Sequence, residues 1–250
     1  MIDVAHLSPW LLLIAPIVVV VAYTVFGLSG FGSTILTVPI LAHFLPVAYL
    51  VALMVTLDLI SSIVVGTSGR EHLSKPELKR LVPLMFAGFV VGATVLVKVP
   101  DVYLRVALGA FSTAMGILGI ANPHSHRTIS AWWSIPIGVL GGAIATIFGA
   151  GGPLYAVYLG GRLRDKRAIR STMSTLISIS AFARAVIYAF TGLMLNWSIL
   201  LGMLLLAPFV WIGLKIGTSI HVSLSQEQMR RVIGGLLVVA GGSLLVRSFF

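Results

Sequence analysis

Two apolar stretches of this chain are each interrupted by a glycine-rich break, and the two breaks resemble each other. The first runs Gly27-Leu28-Ser29-Gly30-Phe31-Gly32-Ser33-Thr34, followed by an apolar run to Pro39; the second runs Phe148-Gly149-Ala150-Gly151-Gly152-Pro153-Leu154. Gly30 aligns with Gly149 and Gly32 with Gly151, both pairs 119 residues apart in a chain of 250. An unwound backbone in lipid leaves polar groups unpaired, and it is tolerated only where it is buried in protein or lines a cavity. A break duplicated near the half-chain spacing therefore points to a ligand site at a repeat interface, the arrangement of secondary transporters. The competing reading is close helix packing through small residues, which is common in membranes.

That argument presupposes a bilayer, and the composition supplies one. The chain is 58% hydrophobic and 10% charged, with mean hydropathy +1.06, against about 25% charged residues in a soluble domain. Long apolar stretches recur along its whole length, so the fold class is an all-α integral membrane protein. A β-barrel would show alternating segments of about ten residues, and none is visible. The first stretch, Trp10–Phe26, has no Lys or Arg before it and no small-residue cleavage site, so it reads as a retained membrane segment rather than a signal peptide. The net charge is +10, but the basic residues flank the apolar stretches, as the positive-inside rule requires. The lipid bilayer is the expected partner and nucleic acid is not. With no cysteine in the chain, disulfides, thiolate chemistry and cysteine metal sites are excluded.

The chain divides into two repeats within one integral membrane domain, 1–122 and 123–250. The first holds a hairpin over 10–44 and spans 47–65, 81–97 and 104–120. The second holds a hairpin over 133–160 and spans 171–190, 199–216 and 232–246. Crossing needs about 20 helical residues. The pieces that follow the breaks, Ser33–Phe44 and Pro153–Gly160, are too short, so each is read as the second limb of a glycine-broken re-entrant helical hairpin. If each hairpin returns to its own side, the two halves are inverted repeats. Thirteen of the seventeen Lys and Arg residues then fall on one face, the loops at Arg70–Arg80 and Arg162–Arg170 among them. If all eight segments cross, the split is six against ten. The positive-inside rule favours the inverted halves, with both termini outside. The repeat continues past the breaks: Thr56-Leu57 and Thr175-Leu176 keep the offset of 119, as do Ser61 and Ser180. Leu104-Arg105 with Gly109 then matches Met229-Arg230 with Gly234 at an offset of 125.

At the two breaks the chain resembles the sulfite exporter TauE/SafE family of membrane transporters, whose halves each begin with Gly-x-Gly-Gly-Gly, an apolar run and a proline. Here the motif stands as Gly30-Phe31-Gly32-Ser33-Thr34 leading to Pro39, and as Gly149-Ala150-Gly151-Gly152-Pro153. The resemblance extends to the span carrying Gly88 and Gly92 and to Leu104–Gly109, and so runs nearly end to end. Ser33 and Thr34 stand where the family often has glycine. Pro153 replaces the last glycine of the second motif, and Tyr158 stands where the matching proline would fall. The resemblance implies passage of sulfite, sulfonates or related small organic anions.

Chemistry-bearing residues cluster around the breaks. A half-helix that starts after a break exposes free N–H groups and the positive end of its dipole, which suits an anion. This makes Gly30, Gly32, Ser33, Thr34, Gly149, Gly151, Gly152 and Pro153 candidate substrate-binding residues, Ser33 and Thr34 by their hydroxyls and Pro153 by fitting the first helical turn. Arg184 lies well inside the span 171–190, where a buried arginine is costly unless paired or hydrated. It is either the cation that holds a sulfonate, sulfite or carboxylate, a snorkelling side chain, or half of a structural ion pair. Asp58 is the one acid within a span; it is a proton carrier, a sodium ligand, Arg184's partner across the repeat axis, or none of these. Thr56, Ser174, Thr175 and Ser178 are candidate coupling or pathway hydroxyls, with interhelical hydrogen bonding as the alternative.

His124 and His126 lie beside Arg127 without the spacing of helical ligands, so no metal site is expected. No nucleophile–base arrangement is visible, and the breaks lack the Lys-Ser/Thr of a phosphate-binding loop. The expectation is a non-enzymatic secondary transporter of small organic or sulfur oxyanions that works by alternating access and ion-coupled export. It needs no cofactor, takes a coupling proton or sodium ion, and sits in the bacterial cytoplasmic (inner) membrane, with a homodimer left open. The alternatives are an uncoupled anion channel and a non-transporting membrane subunit.

Overall fold

In the computed structural model of the protein, residues 9–29, 32–65, 72–121, 128–194, 196–219 and 226–249 are described. They form α1 (Pro9–Ser29), α2 (Ser33–Leu41), α3 (Val47–Val65), α4 (Lys75–Lys98), α5 (Asp101–Ala121), a 3-10 turn at Ala131–Trp133, α6 (Ser134–Phe148), α7 (Gly152–Arg162), α8 (Lys166–Phe190), α9 (Trp197–Ser219) and α10 (Gln226–Phe249). Among the described residues no strand occurs. Seven stretches of the described residues are long and apolar enough to cross a membrane: Trp10–Leu28, Lys75–Lys98, Asp101–Ala121, Ala131–Phe148, Arg167–Phe190, Trp197–Ser219 and Arg231–Ser248. This is a multi-pass helical membrane protein. α2 and α7, at 9 and 11 residues, fall well short of the length of about 20 that a crossing needs.

The helices begin earlier than the apolar pattern alone indicates, because hydropathy marks the lipid-facing middle and misses charged first turns. Asp165 caps α8 by accepting the Arg167 N–H at 3.0 Å. Asp101 opens α5, accepts the Val47 N–H at the start of α3 (2.8 Å) and pairs with Arg105 (2.6 Å), so one carboxylate ties two helix starts together. Every residue of α3 from Leu50 to Asp58 is buried, as expected of a helix apolar all round and set inside the bundle. It packs on α8 and α9. Apolar side chains such as Leu13, Val90, Val102 and Val239 face outward, and Trp10, Trp132, Trp133 and Trp197 are exposed at helix ends, the placement of an aromatic belt.

The principal helix pairs are α5 with α10, α4 with α6, and α1 with α9. All three are glycine seams, in which missing side chains let the backbones approach. A methyl group at Gly92 would meet the Ala143 carbonyl oxygen at 2.7 Å, and one at Gly116 would meet that of Gly234 at 2.6 Å. The contacts repeat across the chain. Gly88 lies against Val139, Gly142 and Ala143, while Gly213 lies against Val20, Tyr23 and Thr24. Gly92 lies against Ala143 and Thr146, while Gly217 lies against Thr24 and Gly27. Each glycine is displaced by 125 residues and each of its partners by 119, the two offsets read from the sequence. In the α5–α10 seam the relation is reciprocal: Gly109 meets Gly241 and Gly116 meets Gly234. Rising numbers in α5 meet falling numbers in α10, so these two helices run antiparallel.

Candidate functional site

Both breaks are interruptions of helix. Gly32 (φ 107°) precedes α2, and Gly149 (φ 71°) ends α6; both sit in the left-handed region that favours glycine. Gly30 lies outside the described residues, as do His124 and His126. The breaks meet: Gly149 packs directly on the methyl of Thr34, with no room for a side chain between them. Around this contact is a cavity of about 30 Å³, enough for about two waters. It is lined by Gly32, Ser33 and Thr34 from the first break, Gly149, Gly151, Gly152 and Pro153 from the second, Asp58 of α3, Tyr155 of α7, and Ile177, Ser180 and Arg184 of α8.

Asp58 is 3% exposed. Its Oδ1 accepts hydrogen bonds from Tyr23 Oη and Ser33 Oγ, both at 2.8 Å, and its Oδ2 accepts one from Thr34 Oγ1 at 2.9 Å. The carboxylate also lies at the N-terminal end of α2, where the helix dipole favours negative charge. Arg184 is likewise 3% exposed. Its Nε donates to the Ser180 carbonyl (3.3 Å) and its Nη1 to the Ala145 carbonyl (2.9 Å), the latter in the last turn of α6, where a cation is favoured. Arg184 Nη2 stands 4.0 Å from Asp58 Oδ2, an ion-pair distance but not a hydrogen bond. Each charge thus has its own compensating shell. A guanidinium carries five N–H donors; the two carbonyls engage two of them, and the Tyr188 hydroxyl also stands beside the group.

The structure brings Gly32, Ser33, Thr34, Asp58, Gly149, Gly151, Gly152, Pro153 and Arg184 around one cavity. The remaining hydroxyls stay outside it. Thr56 donates to the Leu53 carbonyl (2.6 Å), Thr175 to Ser171 (3.0 Å) and Ser178 to Ser174 (2.9 Å), each satisfied on its own helix. Ser33 and Thr34 spend their hydroxyl protons on Asp58.

A second buried acid sits at the start of α4. Glu77, 3% exposed, accepts hydrogen bonds from Tyr158 Oη (2.6 Å), Arg162 Nε (3.1 Å) and Arg80 Nη1 (2.9 Å). It holds the end of α7 against α4. Tyr158 thus has a definite partner in Glu77.

Residues 15–244 match the sulfite exporter TauE/SafE family. The chain belongs to this family. Among curated relatives, the probable inner membrane transporter protein TsaS of Comamonas testosteroni is 21% identical over 193 residues, 77% of this chain and 81% of that one. No solved structure matches the chain. This TauE/SafE protein is a membrane transporter and not an enzyme.

Two tyrosines of the transporter's cavity region, Tyr23 and Tyr155, were not singled out from the sequence. Tyr23 and Tyr155 lie within apolar runs, where a tyrosine reads as core or belt. The available signal was position, since Tyr155 falls in the first turns after the second break.

Proposed function

We propose that the protein is a secondary transporter of small oxyanions, of the sulfite, sulfonate or carboxylate type, which holds its substrate on Arg184 between the two glycine breaks. The observation that carries this reading is a buried guanidinium whose N–H groups are only partly used and whose distance to Asp58 is 4.0 Å. Because Asp58 has three hydroxyl partners of its own, Arg184 is free to take a second anion without stranding a carboxylate. The first N–H groups of α2 and α7 have no partners within their helices and add donors from two sides. The buried lining supports alternating access over an open channel, since an anion must wait for the breaks to part. Asp58 then serves as the coupling group, binding a proton or sodium ion as Arg184 exchanges partners.

The reciprocal glycine contacts support two inverted repeats, because mates across a two-fold axis in the membrane plane run antiparallel, as α5 and α10 do. The shortness of α2 and α7 supports hairpins that return to their own side. The family's description as a sulfite exporter supports export, and the named relative supports a place in a bacterial inner membrane.

The test is thermal stabilisation of the purified protein by sulfite, sulfate, thiosulfate, sulfonates and carboxylates, paired with uptake into liposomes. A bound anion raises apparent stability. Wild type should respond to at least one of them, and Arg184→Ala should lose both binding and transport while remaining folded in the membrane. Unchanged transport by Arg184→Ala removes Arg184 from the mechanism.

A further inference from the structure

Four tyrosines are fully buried: Tyr23, Tyr155, Tyr158 and Tyr188. Three of them donate a hydrogen bond: Tyr23 to Asp58, Tyr158 to Glu77 and Tyr188 to the Thr146 carbonyl. The Tyr155 hydroxyl is buried with no partner among the described residues, although the residue is 1% exposed. A buried hydroxyl without a partner is rare and requires an explanation. Two others share this condition, Ser112 and Thr113, but both belong to α5 and neither lines the cavity. Tyr155 does line it, together with Arg184.

The placement of this ring is built into the helices. Tyr155 sits at the start of α7, and the hydroxyl end of its ring lies against Gly141 of α6. A methyl group at Gly141 would meet Tyr155 Cε1 at 2.6 Å, Cζ at 2.8 Å and Oη at 3.0 Å. The glycine thus makes the seat on which the phenol rests. The repeat gives no second copy, since the residue 119 positions earlier is Leu36.

We propose that the Tyr155 hydroxyl donates a hydrogen bond to the anion held by Arg184 and selects oxyanions over monatomic ones such as chloride. This rests on the transport reading above and adds a residue to it. A guanidinium alone attracts any anion. A polyatomic oxyanion carries several acceptor oxygens about one centre and can reach a guanidinium and a separate phenol together, whereas a single chloride reaches both only where they converge on one point. A site that leaves a buried donor unpaired binds the wrong ligand poorly.

The test is Tyr155→Phe, compared with wild type and Arg184→Ala by thermal shift and equilibrium binding of sulfite, sulfate and a sulfonate, each with and without chloride as competitor. Tyr155→Phe removes one oxygen that has no partner in the ligand-free protein. Its ligand-free Tm should therefore equal or exceed that of wild type. Affinity for the anion that stabilises wild type should fall tenfold or more, and chloride should compete better than in wild type. Unchanged affinity in Tyr155→Phe, with binding lost in Arg184→Ala, overturns the role of Tyr155 and leaves the Arg184 reading standing. A lower ligand-free Tm means the hydroxyl is structural and overturns the proposal too. No binding of any probe by wild type overturns the transport reading for these anions and this inference with it.

Discussion

Arg184 and Asp58 are separated by a distance too long for a hydrogen bond and too short for indifference. At 4.0 Å, in a buried setting, their attraction is felt, yet neither depends on the other for its hydrogen bonds. That balance is what an exchange of partners requires. Asp58→Asn keeps the shape and removes the charge, but its amide N–H groups would face hydroxyls that now donate. We expect a loss of about 1–3 kcal/mol in stability, measurable by thermal unfolding in detergent. We also expect uptake into liposomes that no longer responds to an imposed proton or sodium gradient; an undiminished response would exclude Asp58 as the coupling group. Arg184 was legible in the sequence because a lone cation inside an apolar span has few explanations. Asp58 could be named as a neighbour for it, but its hydrogen-bond acceptors could not, because the carbonyls of Ser180 and Ala145 carry no sequence signature. Tyr155 was illegible for the same reason: its lack of a partner is a property of the folded neighbourhood.

At the scale of helices, the seams decide what the chain tolerates. A methyl group at Gly88 would run into the backbone of α6, whereas one at Gly242 would meet nothing within 4 Å. Gly88→Ala should therefore lower stability by about 1–3 kcal/mol through overpacking. Gly242→Ala should be neutral, or gain up to about 1 kcal/mol from helix propensity. Melting temperatures of the two variants in the same detergent check this, and equal values would mean that α4 and α6 do not pack through Gly88. The apolar lengths of the helices could be read in advance, and so could the shortness of α2 and α7. Which glycines form seams could not, because Gly88 and Gly242 both stand in apolar helices and only the neighbouring helix distinguishes them. The charged first turns at Lys75, Asp101 and Lys166 were also missed, since hydropathy sees only the part of a helix that faces lipid.

For the whole molecule, the sequence offered two offsets and a charge bias, and the contacts of Gly88, Gly92, Gly213 and Gly217 follow those offsets residue by residue. The offset of 125 rested on isolated matches until the seams gave it a physical cause. The inverted reading has its own test, made simple by a chain without cysteine. Lys79 and Arg164 are both exposed, and single cysteines at these positions should both react with a membrane-impermeant thiol reagent from the cytoplasmic side. Labelling from opposite sides would mean that all eight segments cross.

The seams also bear on how such a chain is assembled. α1 with α9, α4 with α6 and α5 with α10 each join a helix of the first half of the chain to one of the second, so neither half alone covers the glycines of these three seams. A polypeptide ending after Ala121 would present three unfilled grooves to lipid, and the remainder of the chain would carry the complementary ridges. The two pieces, made separately in one cell, should be short-lived alone and should recover a working transporter together. The link between them then matters mainly for delivering both pieces to the membrane in equal number.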